Sequence, residues 1–158
     1  VHGQSILPLL RKKNYQKRES VIYGWWGKGF YWTDGNYLLC KAPEKEGPLY
    51  QYGTNFGEKY VGLAGEYFDR YKGAEVGKCM PHTDRPVYKV PADGMCYSNR
   101  NADFDALFDL NEDPKCRENL FYKKDKLLKK CLKKLVDKMK ELKVPEEHFE
   151  RLGLEKYK

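Results

Sequence analysis

No stretch of this chain is long and apolar enough to cross a bilayer, and no signal-peptide pattern opens it. Histidine is scarce. His2, His82 and His148 stand far apart, and none falls in a metal-binding pattern such as H-E-x-x-H. The five cysteines, Cys40, Cys79, Cys96, Cys116 and Cys131, are odd in number and never spaced C-x-x-C, which argues against a zinc site. There is no G-x-S-x-G, no glycine loop ending in Lys-Ser or Lys-Thr, and no cysteine and histidine that spacing marks as nucleophile and base. The common hydrolase, nucleotide and metal signatures are therefore missing. The opening Val1-His2-Gly3-Gln4 is not an initiator sequence, so we expect an excised piece of a longer protein.

Net charge is also absent outside one segment. Ten lysines lie between Lys123 and Lys143 against Asp125, Asp137 and Glu141, and this local excess equals the net +7 of all 158 residues. The same segment holds the one long periodicity. Leu128, Leu132, Leu135, Met139 and Leu142 step by four and three, with Leu127, Cys131 and Val136 beside them. That spacing predicts a helix over Tyr122 to Leu142 with one apolar face and the lysines solvated opposite. Its length, roughly 30 Å, suffices to cover one face of a small sheet. A nucleic-acid groove or a partner-helix seam are the competing readings of the lysine face. Cys131 falls on the stripe and reads as a small buried hydrophobe. The remaining cysteines read as structural thiols, or as one disulfide between Cys79 and Cys96.

Upstream segments supply strands. Ser20 to Trp26 and Gly29 to Thr33 are rich in aromatic and branched residues, Asp34-Gly35 suits a tight turn, and Asn36 to Lys41 returns as the partner strand. Leu49 to Tyr52, Pro86 to Pro91 and Asp105 to Leu110 are further extended segments. Between Gly53 and Pro86 glycine is frequent and no period persists apart from a brief helical hint at Leu63 to Tyr71, which predicts an irregular excursion of the kind that serves a binding surface. Asp113-Pro114 reads as a helix-opening pair or as a short turn ahead of the main helix, Val144-Pro145 as a stop, and Pro145 to Gly153 as a second short helix. The expectation is a single α+β domain over 1–158: a small antiparallel sheet of about four strands packed against one long C-terminal helix, plus a short terminal helix.

The aromatic group Tyr23, Trp25, Trp26, Phe30, Tyr31 and Trp32 alternates with glycine and lysine. It reads either as sheet core or as a partly exposed stacking rim, the rim being favoured at Trp25 or Trp26 because strand neighbours face opposite ways.

Six segments, in order, carry a resemblance. Gly3 to Leu10 is similar to "G-x-S-L-L-P-L-L", Ile22 to Lys28 with Thr33 to Tyr37 to "YGYFGK...TDGxYxY", and Leu49 to Tyr52 to "LYQY". Pro86 to Ala92 is similar to "PVLKIPA", Leu107 to Leu120 to "LYDLxxDPxExxNL", and Pro145 to Leu154 to "APEEQxxRLGL". Together they resemble the C-terminal domain of bacterial, arylsulfatase-like sulfatases of the alkaline phosphatase superfamily. The resemblance implies a parent that cleaves sulfate esters, or phosphate or phosphonate esters, using calcium and a formylglycine made from the Cys or Ser of C-x-P-S-R or S-x-P-S-R. No such motif is present here, and in this family the metal and sulfate ligands belong to the preceding domain. The resemblance thus implies no catalytic residue and no metal ligand in this piece. Its implied partners are the missing N-terminal catalytic domain and, for the parent, a sulfated small molecule or glycan, with no specific nucleic acid and no membrane. Trp25, Trp26 and Lys28 are the candidates for the outer rim of the substrate pocket. The alternative is a free-standing module that binds an anionic polymer through the lysine-rich helix or the aromatic hairpin.

Overall fold

The structure is a computed structural model that describes residues 5–24, 28–44, 47–54, 73–91 and 104–158, together with the backbone of 60–61 and 67–68. Trp25, Trp26 and Cys96 lie outside the described residues. A short helix α1 (Leu7–Leu10) is followed by strands β1 (Val21–Gly24), β2 (Phe30–Thr33), β3 (Tyr37–Lys41), β4 (Tyr50–Gly53), β5 (Tyr60–Val61), β6 (Tyr67–Phe68), β7 (Glu75–Gly77), β8 (Val87–Pro91) and β9 (Ala106–Asp109). Helices α2 (Asp125–Glu141) and α3 (Glu147–Arg151) and a 3-10 turn at Glu155–Tyr157 complete the chain.

The fold is α+β, as the sequence predicts. Its main sheet has four antiparallel strands in the order β1-β2-β3-β9, and a second sheet has the order β4-β8-β7. The β2–β3 turn forms because Asp34 accepts the backbone N–H groups of Asn36 and Tyr37, both at 3.0 Å, while Gly35 takes a φ of 87° that glycine adopts without a Cβ clash. Pairing Thr33 with Leu38 and Phe30 with Lys41 then sets the register. Trp32 and Leu39 meet on one face of the sheet, and the pairing of Leu39 with Leu107 extends that face onto β9.

On this face lies α2. Cys131, Leu132, Leu135, Val136 and Met139 are buried against Trp32, Leu39 and Leu107, with Phe121, Phe149, Leu152 and Leu154 closing the same core. Leu127 and Leu128 are half-buried at its margin. The helix is shorter than the periodic stretch because its start does not fall at Asp113-Pro114. Asp113 instead accepts the N–H of Glu118 at 2.7 Å and serves a turn, and the helix opens only at Asp125. After Leu142 the chain breaks at Val144-Pro145, as expected, and α3 begins two residues past the proline. Gly153 follows α3 with a φ of 62°, a left-handed exit that lets Leu154 turn back into the core.

The strand β7 is a departure from the expected irregular excursion. It pairs antiparallel with β8, Val76 opposite Tyr88, and its side chains at Glu75 and Val76 are exposed. Backbone pairing to β8 alone holds it, so no apolar alternation marks it. The helical hint at Leu63 to Tyr71 is corrected in part. Tyr67–Phe68 is extended and pairs with Tyr60–Val61, and the rest of that stretch lies outside the described residues.

Two clamps tie β9 and α3 in place. Asn119 accepts the N–H groups of Leu107 and Phe121 at 3.1 and 2.9 Å and donates to the Asp105 carbonyl at 3.0 Å. Its amide thus satisfies the outer edge of β9, where an open strand would otherwise invite another chain. The buried Arg151 donates to the Gly47 carbonyl at 3.0 Å, and the 44–47 loop passes so close that any side chain at Gly47 would strike the Arg151 backbone. His148 packs its ring 5.4 Å from that of Phe30. Burial first, then the Arg151 charge, hold its imidazole below the ordinary 6.5.

Leu132→Ala should destabilise the chain by about 2 to 5 kcal/mol, since it opens a cavity between helix and sheet. Lys133→Ala, one residue along on the exposed face, should change stability by less than about 0.5 kcal/mol. Urea unfolding monitored by circular dichroism measures both, and equal shifts would show that the stripe is not the core face.

Candidate functional site

The aromatic hairpin divides its residues between two faces. Trp32, Phe30 and Ile22 go to the α2 side, and Trp32 is completely buried there. It is core, not rim. Its indole N–H finds no hydrogen-bond acceptor among the described residues, and Lys134 lies over its ring at 5.3 Å. Tyr23 and Tyr31 go to the other side, where their rings stack at 5.2 Å with planes 12° apart. Tyr23 remains 52% exposed, so an exposed aromatic does stand on this hairpin, one that the sequence reading had placed in the group without singling it out. Lys28, half-buried, sits at the start of the strand that carries Phe30. The structure therefore describes one of the three rim candidates.

The face that carries Tyr23 and Tyr31 continues across the sheet through Leu38, Cys40, Ala106 and Phe108. Ala106, Phe108 and Cys40 are buried, and the half-buried Cys116 packs on them from the turn that follows β9. This four-stranded sheet is apolar on both sides, and among the described residues α2 covers one of them. A second apolar surface is α1. Ile6, Leu7, Leu9 and Leu10 are 58, 45, 57 and 69% exposed, and no α1 residue is buried. Monomers seldom leave a run of four such side chains to water unless something docks there.

Polar groups near these faces are spent on structure. Lys41 reaches Asp105 at 3.1 Å, and the same carboxylate accepts the Ala42 N–H at 2.8 Å, which locks the end of β3 to the start of β9. A cleft of about 240 Å³ lies between α2 and the β2–β3 turn, walled by Glu19, Asp34, Lys134, Asp137, Lys138 and Glu141. Its lysines are already taken. Lys134 pairs with Asp34 at 2.9 Å and Lys138 with Glu141 at 2.7 Å. Burial alone would raise the Asp34 carboxyl, but the hydrogen bonds from Lys134 and from the backbone of Tyr37 and Asn36 outweigh it and hold the group below its ordinary value. Asp34 is thus a fixed anion that joins hairpin to helix, not an acid or base for chemistry.

The lysine face of α2 is likewise partly neutralised. Lys123 pairs with Glu118 and Lys129 with Asp125, at 2.9 and 2.8 Å, which leaves less free charge for a polyanion than the sequence count suggests. No group of three or more histidine, cysteine or acidic side chains gathers in metal-binding geometry among the described residues. None of the described residues thus supplies a site of that kind for the calcium that the resemblance implies for a parent. The segments that carry the resemblance have structural work here: Asp109, Asp113 and Asn119 hold the turn after β9, and Arg151 to Leu154 close the core. No helix of the described residues is long and apolar enough to cross a membrane. No protein family, no curated protein and no solved structure matches the chain.

The exposed apolar surfaces at α1 and at Tyr23 should make the isolated chain self-associate. Sedimentation velocity over a tenfold or greater concentration range should show a rising weight-average mass, and Leu9→Lys with Leu10→Lys should reduce it. A single monomeric species at every concentration would mean that these surfaces are covered within the chain.

Proposed function

We propose that this chain is the C-terminal part of a sulfatase-like hydrolase, and that its role is to complete the fold of a preceding catalytic domain and line the outer part of its substrate pocket. The observation that carries the reading is the exposed apolar run Ile6, Leu7, Leu9 and Leu10. A stand-alone module gains nothing by leaving four such side chains to water, whereas a preceding domain gives them, and the exposed Tyr23, a body to dock on.

The six segments that resemble sulfatases support the choice of that body. Five of them fall on the hairpin, on β4, β8 and β9 with its turn, and on α3, the elements that build both sheets and lock the helix. The exposed apolar α1 sits upstream of these elements in the segment similar to "G-x-S-L-L-P-L-L". In the parent, sulfate-ester cleavage would use the calcium and the formylglycine nucleophile of the preceding domain. This piece contributes shape and, at Lys28 and the adjoining Trp25 and Trp26, side chains for the rim.

The isolated chain should be inactive. A positioned nucleophile and a metal supply most of the rate in ester cleavage, and this chain carries neither motif. Purified chain incubated with an aryl sulfate and calcium should release no phenol above the buffer blank. Turnover that survives a second purification and follows the protein peak would overturn the reading.

A further inference from the structure

The second face of the sheet also brings together two cysteines for which the proposed function has no use. Cys40 on β3 stands directly across from Ala106 on β9. Cys40, Ala106 and Phe108 form a small buried cluster, and Cys116 packs against it together with Tyr31 and Leu38. Cys116 comes from the turn after β9. Its N–H bonds to the Asp113 carbonyl at 3.0 Å, and its backbone has a φ of 52°. A residue with a Cβ enters that left-handed region only where its surroundings impose it, and here the Asp109 and Asp113 hydrogen bonds fix the turn.

Both sulfurs also act on one phenol. The Tyr23 hydroxyl is pushed up by burial first, and then by Cys40 and Cys116. The other described thiols lie elsewhere. Cys131 is buried on α2, on the opposite side of the sheet, and burial pushes its thiol up to about 11, which leaves it a poor nucleophile. Cys79 follows β7 in the second sheet.

We propose that Cys40 and Cys116 are a disulfide-forming pair that staples the turn after β9 onto β3. The oxidant is a small disulfide of the glutathione class. The half-buried Cys116 loses its proton and attacks one sulfur of the oxidant, which forms a mixed disulfide and releases the first glutathione thiolate. Cys40 then loses its proton and attacks the Cys116 sulfur, expelling the second. Two S–H bonds are exchanged for one S–S bond, and both electrons and both protons end on the two glutathione thiols. The bond closes a loop of about 75 residues, so it restrains the unfolded chain strongly and fixes the turn against β3. It holds whether or not the parent is a sulfatase.

The test is to treat the folded chain with glutathione disulfide, alkylate the remaining thiols, digest, and map linked peptides by mass spectrometry. The expected result is a Cys40–Cys116 linkage and a thermal midpoint about 5 to 10 °C above that of the reduced chain. Cys116→Ser, at a half-buried position, should fold and lose that rise, while Cys79→Ser should keep it. Alkylation of both Cys40 and Cys116 after oxidation, a Cys79–Cys96 linkage in their place, or a rise that persists in Cys116→Ser would each overturn the proposal.

Discussion

The burial of the α2 stripe against Trp32, Leu39 and Leu107 is the contact on which the rest of this structure depends. Five α2 side chains reach the core, and each large apolar side chain fully removed from water contributes about 1.5 to 3 kcal/mol. Nothing else in the described residues buries as much apolar surface in one place. Because the stripe fixes which face of the hairpin points inward, it decides the fate of every alternate residue on β1, β2, β3 and β9. Trp32 goes under the helix and Tyr31 goes to the other side. The exposed aromatic face is therefore a consequence of the helix, not an independent feature.

Polar contacts refine this arrangement without creating it. The Lys134–Asp34 pair links helix to hairpin turn near the surface, where such a pair is worth little on its own. It does select a register, since Asp34 is held at once by the turn and by the helix. The Asn119 amide and the Arg151 guanidinium act at the ends, each matching backbone groups that would otherwise be buried without partners. Their positions within the segments similar to sulfatases account for those motifs by folding chemistry rather than by catalysis. Such roles suit a domain whose contribution to a parent enzyme is shape.

What the sequence made legible follows from which signals are local. The α2 stripe is periodic over about four turns, and the Asp34-Gly35 pair specifies its own turn, so both could be read directly. The strand β7 could not. It is three residues long, exposed on its side chains and held by backbone bonds to β8, so its cause lies in another part of the chain. Whether Asp113 opens a helix or a turn is open in the sequence for a related reason: an aspartate followed by proline serves either use, and the partner that decides, the Glu118 N–H, is chosen by tertiary position. Of the rim, adjacency on a strand implied that one of two neighbouring aromatics faces out. Which residues do so depends on the helix, and among the described ones the answer is Tyr23.

The central claim is that the exposed α1 segment and Tyr23 belong against a catalytic domain that precedes them in a longer chain. Sequencing the native transcript upstream of the codon for Val1 tests it most directly. The account predicts an open reading frame that continues upstream in frame and encodes a C-x-P-S-R or S-x-P-S-R motif within a domain large enough to hold metal and sulfate ligands. An in-frame start codon close to Val1, or a long upstream domain without either motif, would contradict it.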